Sequence, residues 1–127
     1  MKNWIQEVIR LNKHQTGHLS FVFCTDDYLL EVNKKFLNHD YYTDIITFDY
    51  SESNTVSGDL IISIDRVKEN ALTHQCSFNL ELNRVIIHGV LHLLGFSDKT
   101  DDQISKMREL EGLYLAQYVE YQQQTNK

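Results

Sequence analysis

The sequence predicts an α+β fold: a small mixed β-sheet covered by helices on one face, in a single domain spanning residues 1–127. Three observations carry this. Apolar residues switch between helical and alternating spacing in the order α, β, α, β, β, and the remainder is helical. A chain of 127 residues suits one domain and buries roughly two-thirds of its unfolded surface, enough for a core without disulfide staples. No proline, internal repeat or low-complexity linker marks a boundary.

The elements follow in order. Trp4, Ile5, Val8 and Ile9 recur at helical spacing, so residues 3–13 read as a helix. Leu19 to Cys24 is short, apolar and aromatic, and reads as a strand. Thr25, Asp26 and Asp27 supply side-chain oxygens for the free N–H groups of a second helix, which buries Leu29, Leu30, Val32 and Phe36. Ile45 to Tyr50 and Asp59 to Ile64 read as strands. Ser51–Ser57 between them is polar and turn-like, and so short a connection favours an antiparallel hairpin. Asp65 is placed to cap a helix ending near Gln75. Ser77 caps the next, with Leu82, Val85, Ile86 and Leu93 on one stripe, and Gly95 ends it. Thr100-Asp101-Asp102-Gln103 has capping-box spacing. It opens a long helix with Ile104, Met107, Leu110, Tyr114, Tyr118 and Tyr121 facing inward, and a tail from Gln122 to Lys127 that frays.

Composition excludes several classes. Hydrophobic residues make up 42% and charged residues 24%, as in ordinary globular domains. No run approaches the ~18 apolar residues of a membrane span. The N-terminal residues lack the apolar core of a signal peptide. Cys24 and Cys76 are too few for a disulfide framework, so no disulfide partner and a reducing, cytoplasmic setting are expected. A net charge of −6 argues against tight non-specific nucleic-acid binding, which depends on many Lys and Arg contacts to phosphates.

The chemistry concentrates in His88-Gly89-Val90-Leu91-His92-Leu93-Leu94-Gly95-Phe96-Ser97-Asp98, the pattern H-x-x-x-H-x-x-G-x-x-D. Histidines four apart on a helix share a face, with Cβ atoms about 5–6 Å apart. Both imidazoles then reach one ion, Gly95 turns the chain back, and Asp98 approaches from the loop. Three protein ligands, His88, His92 and Asp98, leave a fourth position for water, as in catalytic zinc sites. One Zn²⁺ per chain is therefore expected, sited on a helix of the C-terminal half and its following loop. The competing reading of His88 and His92 is two core histidines with hydrogen-bonded tips. Asp101 and Asp102 fit better in the first turn of the next helix.

The spacing also matches the metzincin peptidase motif, with two differences. Gly89 stands where those peptidases carry their glutamate base, and Asp98 stands in place of the third histidine. The residues His88-Gly89-x-Leu91-His92-Leu93-x-Gly95-Phe96 with a ligand at 98 resemble another signature more closely. It is that of the YbeY family of metal-dependent endoribonucleases and rRNA maturation factors, H-G-x-L-H-L-x-G-Y-D-H. Thr43-Asp44-Ile45-Ile46-Thr47-Phe48 resembles the family's P-T-D-V-L-S-F block, and Gly58-Asp59-Leu60-Ile61-Ile62 its G-D-I strand. Asn33 and Asp40 fall at matching offsets. The resemblance covers about residues 30–111.

That resemblance implies a single-strand endoribonuclease acting on an rRNA precursor, associated with the small ribosomal subunit and its quality control. The departures bear on mechanism. Asp98 replaces the family's third His ligand and adds a negative charge, which makes bound water less acidic. Ser97 replaces the Asp before it. Leu37 stands where the family places a cleft arginine, and Tyr42 and Asp49 replace its prolines. The expected nucleophile is metal-activated water, with no side chain assigned as catalytic. Thr43, Asp44, Thr47 and Asp59 are cleft candidates, and Asp44 or Asp59 could orient a ligating imidazole. Arg66 and Arg84 are candidates to replace the missing cation. Two other classes remain: a zinc metallopeptidase, and a non-catalytic ribosome-assembly factor with a structural zinc.

Overall fold

The structure is a computed structural model that describes the backbone of residues 2–125 and the side chains of residues 3–119. The order is α1 (Lys2–Leu11), β1 (Gln15–Cys24), α2 (Asp26–Leu37), β2 (Ile45–Asp49), β3 (Thr55–Ser63), α3 (Ile64–Thr73), α4 (Phe78–Leu93) and α5 (Asp101–Thr125). This is the expected α+β class, with a mixed three-stranded sheet ordered β1-β3-β2. The hairpin holds: β2 runs antiparallel to β3, pairing Ile45 with Ile62 and Asp49 with Gly58. β1 lies parallel to β3 on its other side, with a register shift between Thr16 and Leu19. Both β1 and β3 begin several residues earlier than their apolar runs suggest. The first residues of β1 are polar and join by backbone pairing, and in β3 the buried Val56 stands alone between polar neighbours, too little for a hydrophobic pattern.

Alternation along β3 decides the layering. Val56, Leu60 and Ile62 point into the main core with Trp4, Val8, Ile86, Val90, Met107 and Tyr114, contributed by α1, α4 and α5. Ile61 and the β2 residues Ile46 and Phe48 point the other way, against Leu29 and Val32 of α2. The sheet is thus covered on both faces, correcting the one-sided layer expected from sequence. A single short helix supplies the second cover, so its stripe is narrow and Phe36 stays 60% exposed rather than buried, edge-on to Phe48.

The caps explain the helix starts. Thr25 Oγ1 accepts from the Tyr28 amide and Ser77 Oγ from the Leu80 amide, as expected. Ser63, not Asp65, caps α3, its hydroxyl oxygen accepting from the Arg66 amide. Asp65 accepts from the Asp26 amide at the start of α2 instead. Gln103 and Thr100 close the capping box ahead of α5. α5 continues as helix through Thr125, beyond the expected fraying point. The inward placement assigned to Tyr121 falls outside the described side chains, as does the end of the tail at 126 and 127. Trp4 Nε1 donates to the Tyr114 carbonyl and ties α1 to α5.

A candidate metal centre on α4

α4 is the central helix because it is apolar nearly all round: Val85, Ile86, Ile87, Val90, Leu91 and Leu93 are buried. Gly89 lets it lie close to the sheet. A Cβ there would come within 2.7 Å of Ile45 Cδ1 and Leu60 Cδ2, nearer than real side-chain carbons approach. The remaining stripe of α4 carries Glu81, Arg84 and His88 toward a cavity of about 610 Å³ that α3 and α5 help to line, and His92 follows one turn after His88. Gly95 then takes φ +102°, a left-handed conformation that costs glycine little. The reversal brings Asp98 back over the end of the helix.

The three expected ligands converge. His88 Nε2 and His92 Nε2 are 3.0 Å apart, and Asp98 Oδ2 lies 3.4 Å from the first and 3.5 Å from the second. Ligand atoms about 2.05 Å from a tetrahedral zinc stand about 3.3 Å from one another. The triangle has those edges, so the donor set fits one ion of zinc size. Among the described residues it is the single cluster of three or more His, Cys, Asp or Glu side chains able to hold a metal.

The residue that sequence reading missed is Glu111. Its Oε2 accepts from His88 Nδ1 at 2.6 Å, which leaves the Nε2 lone pair aimed at the other two ligands. Neither Asp44 nor Asp59 plays this part toward His88. The available signal was a carboxylate lying on the inward stripe of α5, between Met107 and Tyr114. Glu111 is buried, as is Glu81, which receives His74 Nδ1 at 3.1 Å. His74 itself is the C-cap of α3.

These contacts shift the titrations. Burial pulls the His88 imidazole down, but the hydrogen bond and charge of Glu111, with the charges of Asp44 and Asp98, outweigh it. Its pKa therefore stands above the ordinary 6.5. His92 goes the other way, because burial and the neighbouring His88 charge exceed the help from Asp98 and the Phe96 backbone. Burial raises Asp44 above the usual carboxylate range despite its attraction to His88.

The four cleft candidates separate. Asp44 lines the cavity beside His88, with Asn70 Nδ2 3.4 Å from its Oδ2. Thr43 precedes it and donates weakly to the Ile45 carbonyl. Thr47 turns its methyl into the sheet–helix contact at Gly89. Asp59 alternates onto the opposite face of β3 from Leu60, where the Tyr50 hydroxyl donates to it. The loop that carries Thr43 and Asp44 is anchored by Asn33, only 2% exposed, whose Nδ2 donates to the Tyr41 carbonyl. Leu37 ends α2 and does not line the cavity. Arg66 is occupied by Asp26, its Nε 3.1 Å from Oδ2, whereas Arg84 lines the cavity.

Two helix-borne histidines, a loop carboxylate and an outer carboxylate that sets the first imidazole define a domain of the metal-dependent hydrolase class. A family model described as Endoribonuclease YbeY matches residues 1–119. The chain belongs to the YbeY endoribonuclease family, enzymes that hydrolyse RNA. It is 50% identical over 116 residues to the Parabacteroides distasonis protein named Endoribonuclease YbeY, covering 91% of this chain and 82% of that one. The Porphyromonas gingivalis protein of the same name is 50% identical over 108 residues, covering 85% and 72%. The solution structure of a Thermotoga maritima protein superposes with a TM-score of 0.64 at 26% identity, covering 94% of this chain and 82% of that chain. No described helix is long and apolar enough to cross a membrane.

Proposed function

We propose that this protein is a zinc-dependent, single-strand endoribonuclease of the cytoplasm. Its substrate is an rRNA precursor, cut during maturation and quality control of the small ribosomal subunit. The observation that carries the metal reading is the His88–His92–Asp98 triangle, whose edges of 3.0, 3.4 and 3.5 Å suit one tetrahedral zinc. The relatives' name, Endoribonuclease, supports the substrate.

When bound, zinc supplies a nucleophile from water at neutral pH and a Lewis acid for a phosphoryl oxygen. The chain's own residues do the rest. Glu111 holds the proton of His88 on Nδ1, so Nε2 stays a ligand atom. Asp98 brings one negative charge, which makes this centre less electrophilic than one with three neutral imidazoles. Asp44 faces the cavity with a carboxyl that holds a proton more readily than a free one, and it is the group proposed to take or return a proton during cleavage.

The peptidase alternative is opposed by packing. A glutamate base at position 89 would point into Leu60 and Ile45, away from the cavity.

Metal analysis of the purified protein, beside His88→Ala, tests the reading. One zinc per wild-type chain and none in the variant are expected. Cleavage of single-stranded RNA, but not of casein, should stop with chelator and return with zinc. RNA cleavage by His92→Ala at the wild-type rate would remove the proposal.

A further inference from the structure

The cavity beside His88 extends along α4 away from the ligands, and two arginines line it among its carboxylates. Arg84, His88 and His92 lie at i, i+4 and i+8 on one helix face. Arg84 therefore precedes the first ligand by about one turn, a backbone rise of about 6 Å along the axis for four residues. Arg108 reaches the same cavity from α5, and Asn70 from α3. Arg84 is incompletely used: its Nε is 3.5 Å from Glu81 Oε1 and is buried without a hydrogen bond. The side chain as a whole is 38% exposed.

The cavity also holds carboxylates, and each is engaged locally. Glu111 is bonded to His88, Asp98 joins the ligand triangle and Glu81 receives His74. Asp44 lies beside His88, with Asn70 3.4 Å away. Arg84 shares its charge with the buried Glu81, whereas Arg108 makes no ion pair among the described residues, so the guanidinium donors that Glu81 leaves free are the groups that can meet an incoming anion. A guanidinium offers a planar fork of donors matched to phosphate oxygens.

We infer that Arg84, assisted by Arg108, forms a second phosphate subsite, which holds the RNA phosphate next to the one at the metal centre. This rests on the endoribonuclease reading and extends it. The site is built for a nucleotide flanked by two phosphates, which is what an internal position in a strand presents and a terminal nucleoside lacks.

The test uses zinc-loaded full-length protein and three uncut probes: uridine 3′,5′-bisphosphate, uridine 3′-monophosphate and uridine 5′-monophosphate, titrated calorimetrically. Wild type should bind the bisphosphate roughly tenfold more tightly than the better monophosphate, the size of a charge-assisted hydrogen bond to phosphate. Arg84→Gln should remove most of that advantage, and Arg108→Gln part of it. Arg108→Gln keeps the question open to measurement if loss of the Glu81 contact unfolds Arg84→Gln. In RNA binding, each variant should reduce the salt slope by about 0.7, the loss of one single-strand phosphate contact.

Zinc content at one per chain in both variants separates loss of this subsite from loss of the metal centre. The metal reading fails separately, if His92→Ala retains zinc. A bisphosphate bound no better than a monophosphate by wild type overturns the inference. So does an advantage that survives in both arginine variants.

Discussion

Replacing Glu111 by Gln tests how the proposed metal centre is held together. The His88 Nδ1–Glu111 contact is 2.6 Å, and the carboxylate is 11% exposed, so water replaces little of it. Gln is nearly isosteric and its carbonyl oxygen can still accept from Nδ1. What is lost is a full charge opposite the imidazole, and with it the added basicity of Nε2. Outer-shell partners of this kind are worth about 10–100-fold in metal affinity. With one hydrogen bond retained, Glu111→Gln should sit near the lower figure. At saturating zinc, a tenfold loss of affinity removes about 1.4 kcal/mol of metal-dependent stabilisation.

The deficit should also depend on pH, with a sign set by the metal-free protein. Glu111 raises the His88 pKa above 6.5, so below that folded value the wild type must release a proton to bind metal. The variant has a lower His88 pKa and releases less. Its affinity deficit is therefore largest near pH 8 and narrows as the pH falls through the wild-type His88 range. Competition with a chromophoric zinc chelator at several pH values measures this directly. Equal zinc affinity of variant and wild type at pH 8, with both folded, would refute the role given to Glu111.

Gly89→Ala gains about 1 kcal/mol of helix propensity, but its Cβ collides with the ends of Ile45 and Leu60 and overpacking costs about 1–3 kcal/mol. A net loss of up to about 2 kcal/mol in urea unfolding is expected, and a stabilised variant would show that α4 is not pressed on the sheet. Asn33→Ala leaves the Tyr41 carbonyl without its buried donor. It should cost about 1–3 kcal/mol and lower RNA cleavage through misplacement of Asp44, while zinc content stays at the wild-type level. Ser63→Ala removes the α3 cap and the hydroxyl that donates to Asp26, for a loss of about 0.5–2 kcal/mol by thermal unfolding. An unchanged transition would return the capping role to Asp65.

Periodicity and local chemistry determined much of this protein. The α+β class, the β2–β3 hairpin, the caps at Thr25 and Ser77 and the glycine stop at 95 are short-range features, written within a few residues of where they act. The candidate metal triad belongs with them, because His88, His92 and Asp98 lie within one helical turn and one bend, and their convergence needs no distant partner. Tertiary structure decided what depends on residues far apart in the chain. Glu111 meets His88 across 23 positions only because α5 packs beside α4. Asp44 and Asp59 look alike as carboxylates on strand-like segments. The alternation of β3 sends Asp59 to the α2 face, and the loop held by Asn33 brings Asp44 to the cavity. Arg66 and Arg84 were equal as candidates until Asp26 claimed the first and the cavity opened beside the second. A helix stripe or a cap is a property of neighbours in sequence, whereas the partner of a buried charge is chosen by whichever element the core draws against it.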